Sequence, residues 1–269
     1  MPFLFAPPPM PVIPVEGERY EFFPVHRVYC VARNYRAHAE ENGAAAPEAP
    51  FFFMKAADMV RPVAEKETIK ISVPPETQAF EHEVELVAAL SKGGRNLTRE
   101  EAEDAVWGWC AGIDFTRRDL VREAGAKGRP WTFGKNFEGS APVTHVRPKT
   151  RVPYPEPVDL WLYVNNQKRQ SGNTDEMLFD PFDLIAELSR YVTLAPGDLV
   201  FTGTPGGAGN VRAGHRIRQL LGRVVRVSHE LRAQPGGARS QRAIAHQHSG
   251  IAGGKAQQLP AARHAAENA

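Results

Sequence analysis

Residues 80–90, Phe80 to Leu90, read FEHEVELVAAL: three carboxylates at every second position, then an unbroken apolar run. Side chains alternate along a strand, so Glu81, Glu83 and Glu85 share one face and His82, Val84 and Leu86 the other. Three like charges on one face repel. Either they form the solvated face of an edge strand, where acidic side chains discourage edge-to-edge pairing, or they hold a cation, since hard divalent ions take carboxylate oxygens as ligands. The segment by itself leaves both readings open.

The chain around it has 269 residues, 42% hydrophobic and 24% charged, enough for one large domain with extensions. No stretch approaches the roughly 18 apolar residues of a membrane helix. The proline-broken start MPFLFAPPPMPVIPV makes a poor signal peptide, so the cytoplasm is the expected location. Cys30 and Cys110 stand far apart in apolar surroundings and read as buried thiols. The net charge of +2 is unevenly spread: from Asn210 onward nine Arg and one Lys face Glu230 and Glu267, giving +8, which leaves −6 for residues 1–209. Such a basic end can mark a nucleic-acid-binding arm, whose affinity would fall steeply with salt.

Along the chain, residues 1–24 read as a proline-rich extended arm. HRVYCVA is a short buried strand, and RNYRAHAEENG a helix stopped by Gly43, with His38 and Glu41 on one face. Thr98 and Glu101 have the spacing of a capping box, and Ala102, Ala105, Val106 and Trp109 then follow a helical period. Asp114 lies amid apolar neighbours in CAGIDFTRRD; buried, it needs a cation or a donor beside it. Asn165 and Asn166 suit a hairpin turn, and Asp180 with Pro181 starts a second helix. Many strands, few helices and no regular βα alternation indicate an α+β fold.

Several chemistries fail on spacing. In GRPWTFGK, Gly128 to Lys135, five residues separate the glycines and Asn136 replaces the Ser or Thr of a phosphate loop. GTPGGAGNVR puts Arg212 where a dinucleotide fingerprint needs glycine. Neither GxSxG nor HExxH occurs.

Six segments in order, VYCVARNYRAHAEENG, PFFFMKAAD, EHEVELV, GIDFTRRDL, KGRPWTFGKNFEGSAPV and PGDLVFTGTPGG, resemble the fumarylacetoacetate hydrolase family, and within it the fumarylpyruvate hydrolases and other acylpyruvases. The likeness runs from the proline-rich start to about Gly209. It implies a mixed β-sandwich roll of the type of that family's C-terminal domain, usually a homodimer, with a catalytic domain over residues 25–218. It also implies Mg²⁺ or Mn²⁺ held by Glu83, Glu85 and Asp114, with Glu81 outside the site. Hard oxygen ligands without thiolate or histidine agree with that choice of ion.

The same resemblance makes His38 and Glu41 a catalytic pair on a lid helix, His38 activating water and Glu41 holding it. Lys135 becomes a catalytic cation, and Arg118 and Thr204 become binders of the substrate carboxylate. The expected reaction is hydrolysis of a carbon–carbon bond in an acylpyruvate, fumarylpyruvate first, as a step of aromatic catabolism. The alternatives are an oxaloacetate decarboxylase or an oxo-hexenedioate decarboxylase or isomerase of the same family. Two departures stand out. Val121 occupies a position where relatives carry a substrate-contacting glutamine, and from about Gln219 to Ala269 the composition loses strand periodicity and reads as an atypical, disordered or out-of-frame tail. On that reading its basic charge is incidental, and a nucleic-acid partner is not expected.

Overall fold

The computed structural model describes residues 3–17, 20–63, 68–152, 154, 156–221 and 225–233. Its organising strand is Val84–Leu90, buried at every residue. It pairs antiparallel with Val106–Ile113 on one side and with Leu199–Phe201 on the other. A strand with neighbours on both sides is not an edge, which removes the solvated-edge reading. The sheet continues in the order Phe51–Lys55, Val28–Ala32, Leu199–Phe201, Val84–Leu90, Val106–Ile113, Ala141–Val143, Val60–Pro62, with Arg147–Pro148 also on Val106–Ile113. It is mixed: Leu199–Phe201 runs parallel to Val28–Ala32, and Ala141–Val143 parallel to Val60–Pro62.

A second sheet has the order Gln167–Asn173, Asp159–Val164, Arg216–Leu221, Val225–Ala233, Thr68–Val73. Because strand residues alternate, Val84, Leu86, Ala88 and Leu90 meet Leu160, Leu162, Val164 and Ile217 of this sheet in one core. Phe182, Ile185 and Leu188 of the helix Pro181–Tyr191 join that core. The opposite face carries Val87 and Ala89 into a second cluster with Cys30, Cys110, Leu199 and Phe201. Cutting any one of these buried leucines to alanine removes about 2–5 kcal/mol. This is the expected α+β sandwich with few helices. Both cysteines are buried free thiols. No helix among the described residues is long and apolar enough to cross a membrane.

Local signals behave as their chemistry dictates. The capping box is closed at both ends, Glu101 N donating to Thr98 Oγ1 at 3.2 Å and Thr98 N to Glu101 Oε2 at 2.9 Å. Asp180 Oδ1 accepts from Phe182 N at 2.8 Å. Asn165 and Asn166 take φ of 50° and 65° between antiparallel strands. Three expectations need correction. The helix expected to reach Trp109 stops at Ala105, and Val106–Ile113 is a strand; its β-branched and aromatic residues pair with Val84–Leu90, and tertiary pairing overrides the helical period. The proline-rich arm is not merely laid on the surface: Val12–Pro14 pairs with Phe22–Pro24, and Ile13 and Phe23 enter the second cluster. The boundary expected at Gln219 falls inside the strand Arg216–Leu221, and Val225–Ala233 follows, bonded in parallel to Thr68–Val73. The described residues fall within one compact unit. The remainder of the expected disordered tail, with Arg239, Arg242, Lys255 and Arg263 of the basic end, lies from residue 234 onward outside the described residues.

Candidate active site

Strand geometry assembles the carboxylates. Phe80–His82 ends at His82, Glu83 forms the break, and Val84–Leu90 begins a new pairing. Past the break Glu85 stands opposite Gly112, and Asp114 N donates to Glu83 O at 2.8 Å just beyond the end of Val106–Ile113. Carboxylate oxygens of Glu83, Glu85 and Asp114 therefore lie within 4.8 Å of one another, all buried. Before the break Glu81 pairs with Thr116, and its carboxylate meets Arg118 Nε at 2.7 Å, outside the group of three. The single face expected for three glutamates is thus split by the break in the strand.

Three cations stand against these acids. Lys135, at the end of the short helix Thr132–Lys135, places Nζ 2.7 Å from Glu83 Oε2, 2.6 Å from Asp114 Oδ2 and 2.7 Å from Thr116 Oγ1. Lys55, at the end of Phe51–Lys55, has Nζ 2.8 Å from Asp114 Oδ1. Arg118 also bonds Glu83 through Nη2. Counting Glu81, Glu83, Glu85 and Asp114 against Lys55, Lys135 and Arg118 gives 3 − 4 = −1. Glu85 is the member without a cation; its Oε2 accepts from Gly203 N at 2.7 Å.

The proton affinities follow from this arrangement. Burial would raise Glu83, but Lys135 and Arg118 outweigh it and hold the carboxyl well below the usual range. Burial, then the charges of Asp114 and Glu83, push Glu85 well above it. Burial works against the charge on Lys135, and Asp114 and Glu83 more than restore it.

His38 sits on the short helix Arg36–Glu41, buried, with Nε2 3.6 Å from Glu83 Oε1 and Nδ1 3.9 Å from Glu41 Oε2. The second distance is too long for a hydrogen bond, and Nδ1 has no partner. The Glu41 carboxylate instead accepts from Gly207 N at 2.9 and 3.0 Å, tying the helix to the glycine-rich loop. The other end is held by Asn34, whose Nδ2 donates to Thr202 O and Phe179 O while Oδ1 accepts from Phe179 N. Burial lowers the His38 pKa, favouring the neutral imidazole that accepts a proton.

Thr204 is buried in the loop after Leu199–Phe201, and its hydroxyl is engaged within the protein, donating to Val84 O at 2.8 Å and accepting from Gln170 Nε2 at 2.8 Å. Gln170 is fully buried on Gln167–Asn173 and reaches across from the second sheet. Its Oε1 accepts from Val84 N at 3.0 Å and from His82 Nδ1 at 2.8 Å. Burial pushes His82 down to about 4, so its ring is neutral and carries the hydrogen on Nδ1.

A cavity of about 250 Å³ opens beside these groups, lined by His38, Glu83, Glu85, Arg118, Lys135 and Thr204 among others. Seven of the eight residues singled out in the sequence thus border or form one site with Asp114 behind them; Glu41 is reached through the His38 helix. Val121 is buried in the cavity wall. Lys55 and Gln170 escaped the sequence reading. Lys55 had one signal, a lone cation in the apolar run FFFMKAA; Gln170 had none, because its side-chain partners lie 34 to 88 residues away along the chain and meet it only through the packing of another sheet.

The donor set fits a hard divalent cation. Three buried carboxylates converge, and Glu85 lacks a counter-charge. A charge of +2 would turn the network from −1 to +1, the complement of one substrate carboxylate. Mg²⁺ and Mn²⁺ match all-oxygen ligands.

Known proteins agree with this geometry. The fumarylacetoacetate hydrolase, C-terminal domain family matches residues 27–234. A solved structure of fumarylpyruvate hydrolase from Pseudomonas aeruginosa, in complex with Mn²⁺ and pyruvate, superposes with a TM-score of 0.84 at 41% identity, covering 87% of this chain and 100% of that one. Among curated proteins, the mitochondrial oxaloacetate tautomerase of Bos taurus is 38% identical over 191 residues, 71% of this chain and 85% of its own length. The mitochondrial oxaloacetate decarboxylase of Dictyostelium discoideum is 38% identical over 192 residues, 71% and 87%. The chain belongs to the fumarylacetoacetate hydrolase family.

Proposed function

We propose that this protein hydrolyses the carbon–carbon bond between the acyl group and pyruvate in an acylpyruvate, with fumarylpyruvate as the leading substrate. The observation that carries the reading is His38: a buried neutral imidazole on the wall of the cavity that also holds the acidic triad. A decarboxylase has no need of an activated water, whereas a hydrolase requires one. The solved relative with pyruvate and Mn²⁺ supports the same direction.

Glu83, Glu85 and Asp114 would hold the divalent ion. When bound it supplies Lewis acidity that polarises the 2-oxo acid and stabilises negative charge on it. His38 takes a proton from water, whose oxygen adds to the distal carbonyl carbon. The bond to the pyruvyl methylene carbon then breaks, that carbon keeps the electron pair, and a proton returned to it completes pyruvate and the carboxylic acid. Lys135, with Thr116 and two carboxylates fixing its ammonium, supports developing negative charge. Arg118 has two guanidinium nitrogens committed to Glu81 and Glu83, so it braces the triad as well as facing the cavity.

A second reading, tautomerisation or decarboxylation of oxaloacetate, draws on the curated relatives. The experiment is turnover of fumarylpyruvate and of oxaloacetate with Mg²⁺ or Mn²⁺ and with EDTA, in the native protein and in His38→Ala. We expect metal-dependent formation of fumarate and pyruvate, lost by about 10²-fold or more in His38→Ala, with Mn²⁺ affinity retained. Oxaloacetate turnover without acylpyruvate cleavage would overturn the hydrolase reading.

A further inference from the structure

The strand Phe51–Lys55 inverts the usual order of burial: its three phenylalanines are half-buried, Met54 is exposed, and Lys55 is the residue sealed from water. A buried ammonium carries a desolvation cost that another apolar residue after the run FFFM would avoid. The Lys55 side chain also stands outside the wall of the catalytic cavity, so it does not touch a substrate. Its place is explained by what it holds.

The ammonium reaches three groups. Asp114 Oδ1 lies 2.8 Å from Nζ, Phe115 O accepts at 3.3 Å, and Lys135 O accepts as well. The first two belong to consecutive residues, so the Asp114 side chain and the backbone just after it are gripped together. Lys135 O is one of the last carbonyls of the one-turn helix Thr132–Lys135, which find no partner within a helix. The next residue along repeats the connection: Ala56 N donates to Asn136 Oδ1 at 2.7 Å. The end of the strand is thus pinned to the end of that helix at two successive positions.

At Asp114 two lysines divide the carboxylate, Lys55 on Oδ1 and Lys135 on Oδ2 at 2.6 Å. Lys135 belongs to the cavity wall and Lys55 does not, so the carboxylate is held from both sides. We propose that Lys55 is a positioning residue for the ion site: by fixing the Asp114 carboxylate and the Lys135 backbone, it sets the arrangement in which Glu83, Glu85 and Asp114 take up a divalent cation. The inference rests on the reading of those three acids as ion ligands.

Charge and position predict opposite signs. Removing Lys55 takes the network from −1 to 2 − 4 = −2, and by charge alone a divalent cation should then bind more tightly. Loss of position should weaken it. Calorimetric titration of Mn²⁺ into the metal-free protein, with no substrate present, compares the native chain with Lys55→Met. Affinity should fall about 10–100-fold, the usual effect of removing a group that orients a metal ligand. Lys55→Gln keeps a donor for the two carbonyls and covers the case in which the methionine variant does not fold; it should lose affinity as well. Leu188→Ala, which opens a cavity in the core beneath the helix Pro181–Tyr191, controls for instability and should keep Mn²⁺ affinity within about twofold. Unchanged or tighter binding in the Lys55 variants, or an equal loss in Leu188→Ala, overturns the positioning role. Failure of the native protein to bind Mn²⁺ overturns the ion site itself, and the inference with it.

Discussion

The Val84 amide, between the two glutamates of the acidic triad, donates to Gln170 Oε1 across 3.0 Å. One buried side chain of the second sheet thereby fixes the backbone that aims Glu83 and Glu85, and its amide nitrogen fixes Thr204 and bonds Pro205 O. Gln170→Leu leaves the Val84 amide, His82 and Thr204 with unmet hydrogen bonds in a dry core. Each such loss costs about 1–3 kcal/mol, so urea denaturation of the variant should give at least about 3 kcal/mol less stability, together with weaker Mn²⁺ binding. A loss under about 1 kcal/mol would contradict the role assigned to this residue.

Glu83 and Glu85 should respond in opposite ways to neutralisation. Glu85 has no cation beside it and is pushed toward protonation, so Glu85→Gln should leave the metal-free protein as stable or more stable. Glu83 compensates Lys135 and Arg118, and Glu83→Gln should cost about 3–5 kcal/mol, the penalty of breaking a buried pair. Both should lose Mn²⁺ binding. Denaturation in EDTA and Mn²⁺ titration check the pair; equal stability losses would show that the charge count is wrong.

Glu41 acts here through Gly207 rather than through a hydrogen bond to His38. Glu41→Ala should therefore free the helix and raise KM for the acylpyruvate more than it lowers kcat. Steady-state kinetics decide this. A pure kcat defect of the size seen for His38→Ala would mean that Glu41 orients the imidazole during turnover.

Asp119 governs part of the acid limb. Burial would raise its pKa, but hydrogen bonds from Thr77 Oγ1 at 2.6 Å, Gln78 N at 2.7 Å and Leu120 N at 3.0 Å lower it on balance. With the folded value below the unfolded one, the unfolded chain takes up the proton first on acidification. The stabilisation is complete above about pH 4, near the ordinary aspartate value, and is lost as pH falls through the folded value. Asp119→Asn should flatten the stability curve in that window. An unchanged slope would remove Asp119 from the acid response.

Much of this was readable from the chain. Alternation and caps are local, so the capping box at Thr98, the Asn165–Asn166 turn and the Asp180 start appear in the sequence as they do in the fold. The triad was readable only with the family resemblance, because the spacing of Glu81, Glu83 and Glu85 says nothing about a break at Glu83 that divides them. Trp109 was misread because a buried two-sided strand and a buried helix face draw on the same apolar residues, and pairing with Val84–Leu90 decides between them. Lys55 and Gln170 were hidden for another reason. A polar residue pointing into the core is indistinguishable, in sequence, from one pointing to water.

The parts of the site also differ in how far the chain must travel to build them. Glu83, Glu85 and Asp114 lie on or directly beside two consecutive antiparallel strands, whereas the Glu41–Gly207 and Asn34–Thr202 bonds span 166 and 168 residues. The entropic cost of closing a loop grows with its length, and distant pairings form late. Val28–Ala32 and Val84–Leu90 meet only through Leu199–Phe201, which lies between them in the sheet. A nascent chain can therefore pair the two strands that flank the three acids before it can seat His38, while the final aim of Glu83 and Glu85 waits for Gln170 and Gly203.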